Sequence, residues 1–377
     1  MTVMRELALS TQVLFFSGKG GVGKTTLASA TALAAAREGK RVLVVSTDPA
    51  HNLGHLWRRK VGQEPVQLWA GPSAPDNAAE GDGETTRGAG AGATRGHASH
   101  AGGRTSRGAG GGATRGHASR AGGRTSCETG GEVLGVELDA DLLAARHLQA
   151  VSQTLRSFVS ESMRSHLNDY LDLVRQSPGT HDSALAQTIA ELCVNQRHSY
   201  DLVIFDTAPT GHTARLVQMP TMLSRYSQAL MTRRKRANQF ADIATALGQE
   251  ERDRERDDRI IHILQGRQQL FADFHSLLVD PQKVAFVLVL TAERMPVLET
   301  IDFSTELRNS AVRVGAMVAN RRTPTSDVAL LQERRKREDE YVAYLKNQVG
   351  DIPLVEVPQL VGEPTGVEAL AEVGQWL

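Results

Sequence analysis

A long internal stretch of this chain has no large apolar side chain. From Ala70 to Glu132 there is no Val, Ile, Leu, Met, Phe, Trp or Tyr, so the stretch cannot bury enough apolar surface to offset the entropy lost on ordering. We therefore predict that residues 70–132 form a disordered, low-complexity insert. Between Gly81 and Gly131 it holds 17 of the chain's 35 glycines, and 326 of the 377 residues lie outside those limits. That remainder is long enough to form a large core.

The insert contains a tandem repeat of 20 residues. Arg87–Ser106 and Arg107–Ser126 are identical at 18 positions and have no large apolar residue through which repeats could stack. The interpretation we favour is a duplicated flexible loop. Two alternatives remain: an Arg-Gly segment that contacts RNA or anionic surfaces, and a metal site formed by His97, His100 and His117.

Cysteine and net charge are also scarce. Cys127 and Cys193 are too few for a disulfide scaffold or for a four-thiolate zinc site within one chain. The chain has 43 basic and 43 acidic residues, and residues 81–131 contribute seven Arg and three acids, which leaves 36 basic and 40 acidic residues elsewhere. This balance argues against a core that binds nucleic acid.

The sequence shows neither a secretory leader nor a membrane span. Met1–Gln12 does not have the basic and then apolar order of a signal peptide. The longest apolar runs, such as Val284–Leu290, fall far short of the roughly 20 residues that cross a bilayer. We therefore expect a soluble protein of the cytoplasm.

The remainder of the chain alternates between short apolar runs and helical patterns. The runs are rich in Val, Leu and Ile, which predicts buried strands of a parallel sheet covered on both faces. These runs are Val13–Phe16, Val42–Val45, Leu202–Phe205, Ala285–Leu290, Val312–Val318 and Pro353–Val357. The Ala-rich segment Thr25–Glu38 predicts a helix that ends at Gly39. The pattern predicts an α/β fold with a doubly wound, mostly parallel sheet, in a single domain over residues 1–377.

Two long helical patterns interrupt this alternation and predict helical subdomain segments over residues 139–195 and 215–282. The first has an apolar residue every three or four positions from Leu148 to Val174, and it ends at a predicted turn, Ser177-Pro178-Gly179. The second includes the mixed-sign run Glu251–Arg259, which is typical of a solvated helix face or loop. Core or helix packing is the role we favour for the apolar stripes.

A glycine-rich loop follows the first predicted strand and precedes the predicted helix. It matches the phosphate-loop pattern G-x-x-x-x-G-K-[ST] in the strand–loop–helix context that this pattern requires. Its glycines allow backbone N–H groups to surround phosphate oxygens at the positive end of a helix. The predicted nucleotide-binding residues are Gly18, Lys19, Gly20, Gly21, Val22, Gly23, Lys24, Thr25 and Thr26. Lys24 would neutralise the terminal phosphates, and the Thr25 hydroxyl would hold Mg²⁺.

Two aspartates follow predicted strands, where they would lie beside the phosphates. Phosphoryl transfer to water depends on positioning and charge stabilisation, and Asp48 is placed to orient the attacking water. The alternative for Asp48 is a simple turn, because Asp before Pro often starts one. Asp206 ends an apolar run, where a carboxylate commonly holds Mg²⁺ through water. We predict ATP and Mg²⁺ as ligands.

Longer motifs around these aspartates identify a family. Ser46-Thr47-Asp48-Pro49-Ala50-His51-Asn52-Leu53 follows the second predicted strand, and Asp206-Thr207-Ala208-Pro209-Thr210-Gly211-His212-Thr213 follows the third. Together with the Lys-Gly-Gly-Val-Gly-Lys-Thr loop, they resemble the ArsA-like ATPases. That family includes the arsenite-pump ATPase and the ATPase that targets tail-anchored membrane proteins. The resemblance extends over Val13–Asn52, Asp201–Pro220, Ala285–Asn320 and Ile352–Leu370.

The resemblance implies a Mg²⁺-dependent ATPase that acts as a homodimer. It implies that Lys19 reaches across the dimer interface to the partner's nucleotide, the alternative being a solvated loop lysine. It assigns Asp48 to the attacking water and groups Thr25, Asp48 and Asp206 around Mg²⁺. Asn320 would read the adenine, and main chain around Pro358 would complete the base pocket. Pro209-Thr210-Gly211 would sense the γ-phosphate, whereas His51, His212 and Arg215 are weaker candidates.

The cellular role stays open between three hypotheses. The helical segments could bind hydrophobic or membrane-protein clients, and Met219, Met222 and Met231 hint at such a groove, although the chain has no Cys-x-x-Cys zinc pair. The chain could instead drive an arsenite or antimonite pump, but that function needs three soft thiolates. The third hypothesis is a slow nucleotide switch that docks a protein partner.

Overall fold

Strands and helices alternate along the chain. The computed structural model describes residues 2–48, 52–72, 130–156, 178–207, 217 and 252–377. Its strands are β1 (Val13–Ser17), β2 (Arg41–Ser46), β3 (Val66–Ala70), β4 (Glu132–Glu137), β5 (Leu202–Asp206), β6 (Val284–Thr291), β7 (Val314–Arg322) and β8 (Leu354–Pro358). Its α-helices are α1 (Val3–Ser10), α2 (Lys24–Arg37), α3 (Asn52–Trp57), α4 (Ala140–Arg156), α5 (Pro178–Glu191), α6 (Arg252–Leu278), α7 (Arg294–Asn309), α8 (Ala329–Val349) and α9 (Val367–Gly374). A π-helical turn (Leu192–Gln196) and a 3-10 turn (Arg197–Ser199) follow α5.

The strands form one sheet in the order β3-β4-β2-β5-β1-β6-β7-β8. All neighbouring pairs are parallel except β3 with β4. Strand β1 lies in the interior, where Val13 is in register with Val203 of β5 and with Val284 of β6. The chain adds strands on both sides of β1, and in open α/β sheets ligands bind outside the carboxyl ends of the strands at such a reversal. The predicted α/β, doubly wound fold is confirmed.

The central strands are buried on both faces because alternate side chains point to opposite layers of helices. On one face Phe16 packs in a cluster with Leu27 of α2. On the other face Phe15 stacks on Phe205 and Phe286, with ring centroids 4.8 Å apart in each pair, and α5, α6, α7 and α8 supply the apolar cover. This burial explains why the predicted strands are nearly continuous apolar runs.

Helix α2 confirms the helix predicted from the Ala-rich segment. Its last residue is Arg37, and Gly39 follows in a left-handed conformation, with φ of +88°. The Gly39 N–H donates to the Ala36 carbonyl at 2.9 Å, which satisfies one of the carbonyl groups left unpaired at a helix end. The position of the helix relative to the glycine-rich loop is therefore the one the sequence predicts.

The sequence does not predict the two strands at one edge of the sheet. Only Leu68 of β3 is fully buried, and β4 contains Gly135, so neither has the apolar run that marks the central strands. Ala70 pairs with Glu132, which makes both predicted ends of the insert strand residues. The insert therefore connects β3 to β4, and its residues 73–129 lie outside the described residues.

The predicted helical segments contain α4 and α5 in the first and α6 in the second. Leu148 of the predicted apolar stripe is buried in α4. The turn predicted at Ser177-Pro178-Gly179 is wrong, because α5 begins at Pro178; proline has no N–H and fits the first turn of a helix. Residues 157–177 and 218–251 are not described, and among the helices that are, none is long and apolar enough to cross a membrane.

A phosphate cradle as the candidate functional site

The glycine-rich loop joins β1 to α2 and packs tightly on two other strands. At Gly18, a Cβ atom would lie 2.0 Å from the carbonyl oxygen of Val289 in β6. At Gly23, where φ is +96°, a Cβ atom would lie 2.3 Å from Asn320 Nδ2 in β7. Both positions therefore require glycine, for close approach and, at Gly23, for a left-handed backbone as well.

Lys24 spans this loop from the first turn of α2. Its side chain is buried, and Nζ donates to the Lys19 carbonyl at 3.2 Å. Burial lowers the pKa of Lys24, while the charges of Asp206 and Asp48 act in the opposite direction. A desolvated ammonium group held across the loop is suited to neutralise phosphate oxygens.

Thr25 and Asp206 form the buried polar centre of the site. Thr25 Oγ1 donates to Asp206 Oδ2 at 2.6 Å, and Ser46 Oγ lies 3.5 Å from the same oxygen. Asp206 is fully buried, and burial raises its pKa to about 6, against the opposing effect of the Thr25 hydrogen bond. Among the described residues, neither Asp206 Oδ1 nor the nearby Ser17 Oγ, at the end of β1, has a hydrogen-bond partner. A buried carboxylate oxygen without a hydrogen-bond partner lowers the stability of the folded state.

These residues fit a divalent cation of the magnesium type. Mg²⁺ takes oxygen ligands, keeps several waters, and binds through one or two carboxylates together with substrate phosphates. The described residues contain no cluster of three or more His, Cys, Asp or Glu that could hold a metal by themselves. The hydroxyl of Thr25 and the orphan oxygen of Asp206 therefore match a site that a nucleotide completes.

Asp48 lies beside this centre at the end of β2. It is half-buried, and its N–H donates to Ser46 Oγ at 3.3 Å. The preceding residue, Thr47, donates its N–H to the Asp206 carbonyl at 2.9 Å, which ties the Asp48 segment to β5. The charge of Asp48 contributes to the raised pKa of Asp206. The two predicted acidic residues are therefore brought together.

Lys19, the second residue of the loop, does not point into the cradle. Its Nζ lies 2.8 Å from Glu299 Oε1 of α7, and both side chains are partly exposed. The loop therefore carries two lysines in different surroundings: Lys24 is buried against the loop's own carbonyl, and Lys19 is paired at the surface.

A cavity of about 360 Å³ adjoins the loop on the side of β7 and β8. It is lined by Gly23 and Thr26 of the loop and α2, by Asn320, and by Pro358 with the segment that follows it. Asn320 is buried within β7; its Nδ2 donates to the Val22 carbonyl at 2.8 Å, and its Oδ1 accepts the Arg321 N–H at 2.9 Å. The structure thus places Asn320 and Pro358 at one cavity, and it gives the Asn320 amide a bracing contact that sequence reasoning missed.

Glu137 is a buried carboxylate at the same edge of the sheet that the sequence does not single out. It ends β4 opposite Ser46, and its Oε1 accepts the Gly54 N–H of α3 at 3.0 Å. Helix α3 follows the Asp48 segment along the chain. The signal that could have found Glu137 is an acidic residue at the end of a strand, but β4 itself is not predicted.

Several of the predicted site residues lie outside the described residues. They are His51, Pro209, Thr210, Gly211, His212 and Arg215. Strand β5, which precedes residues 209–215, is described, and Thr207 just after it donates its N–H to the Phe16 carbonyl at 3.1 Å. The γ-phosphate-sensing role of that segment stays a prediction.

Comparison with known proteins assigns the chain to a family. A family model described as anion-transporting ATPase matches residues 11–73 and 125–377. The chain belongs to this family of ATPases. The two matched ranges include every residue of the phosphate cradle, whereas residues 74–124, the bulk of the insert, are not matched.

Curated relatives match this ATPase over nearly its whole length. The putative arsenical pump-driving ATPase 2 of Aquifex aeolicus is 25% identical over 369 residues, which cover 97% of this chain and 99% of that protein. ATPase get3 of Aspergillus terreus is 26% identical over 382 residues, covering 97% and 89%. ATPase ASNA1 homolog 1 of Paramecium tetraurelia is 25% identical over 365 residues, covering 95% and 90%.

Proposed function

We propose that this chain is a Mg²⁺-dependent ATPase that acts as a homodimer and couples its nucleotide state to the helical segments. The observation that carries the proposal is the Thr25–Asp206 pair at 2.6 Å, in which a fully buried carboxylate keeps one oxygen without a partner beside the phosphate loop. Bound Mg²⁺ would neutralise charge on the transferred phosphate. Lys24 would neutralise the terminal phosphates, and Asp48 would orient the attacking water.

The case for a homodimer depends on Lys19. Its ammonium group lies outside the phosphate cradle, on the exposed side of the loop, where Nζ is 2.8 Å from Glu299 Oε1. A lysine in that position is available to another molecule once the Glu299 contact opens. We infer that in the dimer Lys19 of each chain contacts the partner's nucleotide, which is the role that the resemblance to the ArsA-like ATPases implies.

The client or partner is proposed to bind on the helical segments that contain α4, α5 and α6. The motifs around Asp48 and Asp206 resemble a family that includes the ATPase that targets tail-anchored membrane proteins, and this resemblance favours a protein or membrane-protein client. We also propose that the protein acts in the cytoplasm. A slow nucleotide switch would use the same site, and the turnover rate separates it from a client-cycling ATPase.

A metalloid pump motor is the second candidate, and the name of the Aquifex aeolicus relative favours it. The described thiol argues against it. Cys193 is fully buried, and burial raises the pKa of its thiol, whereas a soft metal ion binds an accessible thiolate. Antimonite-stimulated hydrolysis that disappears in Cys193→Ser would favour the pump.

The experiment that tests the proposed function measures ATP hydrolysis per chain over a range of protein concentrations. A dimer with a shared site gives a specific rate that rises with concentration and then saturates. Lys19→Ala should abolish this rise while ADP binding persists, because Lys24 and Thr25 are intact. Asp48→Asn with ATP and Mg²⁺ should sediment as a dimer. A concentration-independent rate that Lys19→Ala leaves unchanged would remove the dimer from the proposal.

A further inference from the structure

Two successive arginines at the end of β7 have opposite surroundings. Arg322 is among the largest fully buried side chains of the described residues, whereas Arg321 is exposed and lines the cavity beside the phosphate loop. A charged side chain at the lining of a ligand-sized cavity usually has a recognition role or a structural partner. The surroundings of the two residues show which of these applies to each.

Arg322 has the structural role. Its Nη1 lies 2.8 Å from Glu338, its Nε lies 2.9 Å from Glu356, and Nη2 pairs with Asp339. A guanidinium group that is fixed by three carboxylates in this way is rigid. The Arg322 carbonyl also accepts the Gln359 N–H at 2.8 Å, so the network connects the end of β7 to the segment after β8 that lines the cavity.

Arg321 is held in a left-handed conformation between two fixed residues. Its φ is +57°, which is uncommon for a residue other than glycine. On one side the Asn320 side chain accepts the Arg321 N–H at 2.9 Å, and on the other the Arg322 side chain is anchored. Strained backbone of this kind persists where the surrounding structure determines it, and it is concentrated at ligand sites.

The cavity lining is suited to a flat aromatic group. Val361, in the segment after β8, is fully exposed, and Leu360 and Pro358 add apolar surface. The charged residues of the described lining are Arg321 and Glu363. The Asn320 side chain already makes two hydrogen bonds within the protein, one as donor to the Val22 carbonyl and one as acceptor from the Arg321 N–H. A planar guanidinium group stacks on aromatic faces and does so without regard to the pattern of ring substituents.

We propose that Arg321 is a nucleotide-contacting residue whose guanidinium group packs on the face of the purine base, while the buried Arg322 network positions it. The inference rests on the proposed function, because it requires that the loop binds a nucleoside phosphate. It adds a base contact that is independent of the phosphate contacts made by Lys24 and Thr25.

The test compares ADP with inorganic pyrophosphate by calorimetric titration of the full-length protein. Both ligands occupy the phosphate loop, but only ADP has a base, and neither is hydrolysed. Arg321→Gly should weaken ADP binding by about 3- to 30-fold and leave pyrophosphate binding within about twofold. The thermal midpoint should not fall, because glycine adopts the left-handed conformation without strain.

Two further variants control for the backbone. Ala311→Gly relieves a second left-handed residue, with φ of +58°, at the other end of β7, and it should change neither affinity. Arg321→Asn keeps a residue that tolerates this conformation but lacks the guanidinium group, and it should weaken ADP binding as Arg321→Gly does.

Four outcomes would overturn the inference. Unchanged ADP affinity in both Arg321 variants would show that Arg321 does not touch the base. Equal losses for ADP and pyrophosphate would show an effect on the loop as a whole. A wild-type protein that binds ADP no more tightly than pyrophosphate would show that the cavity is not a base site, while the phosphate loop itself stands. If the wild type bound neither ligand, the proposed function would fail, and the inference with it.

Discussion

Two pairs of polar side chains beside the phosphate loop, Thr25 with Asp206 and Lys19 with Glu299, differ in burial, and this difference separates their roles. Asp206 is fully buried, receives the Thr25 hydroxyl at 2.6 Å, and retains an oxygen without a partner in the described structure. Lys19 and Glu299 form a pair at 2.8 Å, with 47% and 36% of their side chains exposed. A buried polar group is fixed by its surroundings, whereas an exposed ion pair contributes only about 0.2–1 kcal/mol and exchanges readily.

The two pairs therefore have different roles beside the same loop. The buried pair is pre-organised for a ligand that brings its own charge, which is how Mg²⁺ with a phosphate would use it. The exposed pair is weak enough to open when another charged group approaches, as the proposed dimer requires. Changing each pair should therefore have effects of different size and, for stability, of different sign.

The largest effect is expected for Asp206→Asn. The variant should lose Mg²⁺-dependent hydrolysis by about 100-fold or more, because the amide does not hold the cation. At pH 8 the free energy of unfolding of the free protein should rise by on the order of 1–3 kcal/mol, because the cost of a buried charge is removed, and the unfolding temperature should rise with it. Thermal unfolding and phosphate release measure both. Asp201→Asn changes an exposed carboxylate just before the same strand, one that accepts the Arg41 N–H at 2.9 Å, and it is the control for hydrolysis, which it should leave unchanged. Retained hydrolysis or reduced stability in Asp206→Asn would contradict the account.

The pH dependence of Mg²⁺ binding should follow Asp206. Because burial raises its pKa to about 6, protons compete with Mg²⁺ below that pH, and affinity should fall about tenfold per pH unit. Folding favours the protonated form, so this group makes the free energy of unfolding decrease as the pH rises from about 4 to about 6. Mg²⁺ titration of the ADP complex at several pH values measures the first effect. Subtracting the same series for free ADP removes the titration of the nucleotide itself, and an Mg²⁺ affinity that does not fall below pH 6 would exclude Asp206 as the group.

A smaller effect is expected for Glu299→Gln. Releasing Lys19 from an exposed ion pair should raise the specific rate of hydrolysis by about two- to fivefold at low protein concentration. The rate at saturating protein should not change. Asp302→Asn removes one charge from the same helix and serves as the control. A lower rate in Glu299→Gln would mean that Glu299 helps Lys19 to act rather than restraining it.

The smallest effect is expected when residues 81–131 are deleted. The Gly71 N–H donates to the Gly131 carbonyl at 2.8 Å, so the ends of the β3–β4 connection lie side by side, and loop length has a weak influence on closure. The deletion removes Gly131 as well, but residues 71–80 remain and are enough to connect Ala70 of β3 to its neighbour Glu132 of β4. We expect ATP hydrolysis to stay within about twofold of the full-length rate. A collapse of activity in a folded deletion variant would show that the insert takes part in function.

The sequence predicts those parts of the molecule that depend on local pattern. The apolar runs of β1, β2 and β5 predict central strands because both faces of these strands are buried, and Gly39 predicts the end of α2. Strand β3 is the edge strand, where partial exposure permits polar residues. Strand β4 beside it is mostly buried, but Gly135 and its two glutamates interrupt the apolar run. The glycine-rich loop predicts a phosphate site because backbone geometry restricts which residues fit at Gly18 and Gly23.

Contacts between distant parts of the chain could not be predicted in this way. Lys19 and Glu299 are 280 residues apart, and Asn320 and Val22 are 298 apart. Nothing in the local sequence shows that Asn320 braces the loop or that Arg322 lies among three carboxylates. The residue types at these positions are recognisable, but their partners depend on the order of the strands in the sheet.

The most direct test of the central claim is the rate of phosphate release from ATP by the purified full-length protein and its Lys24→Ala variant, with and without Mg²⁺. We expect hydrolysis that requires Mg²⁺ and falls by about 100-fold or more in Lys24→Ala. Equal rates in the two proteins would contradict the assignment of the Gly18–Thr25 loop as the phosphate site.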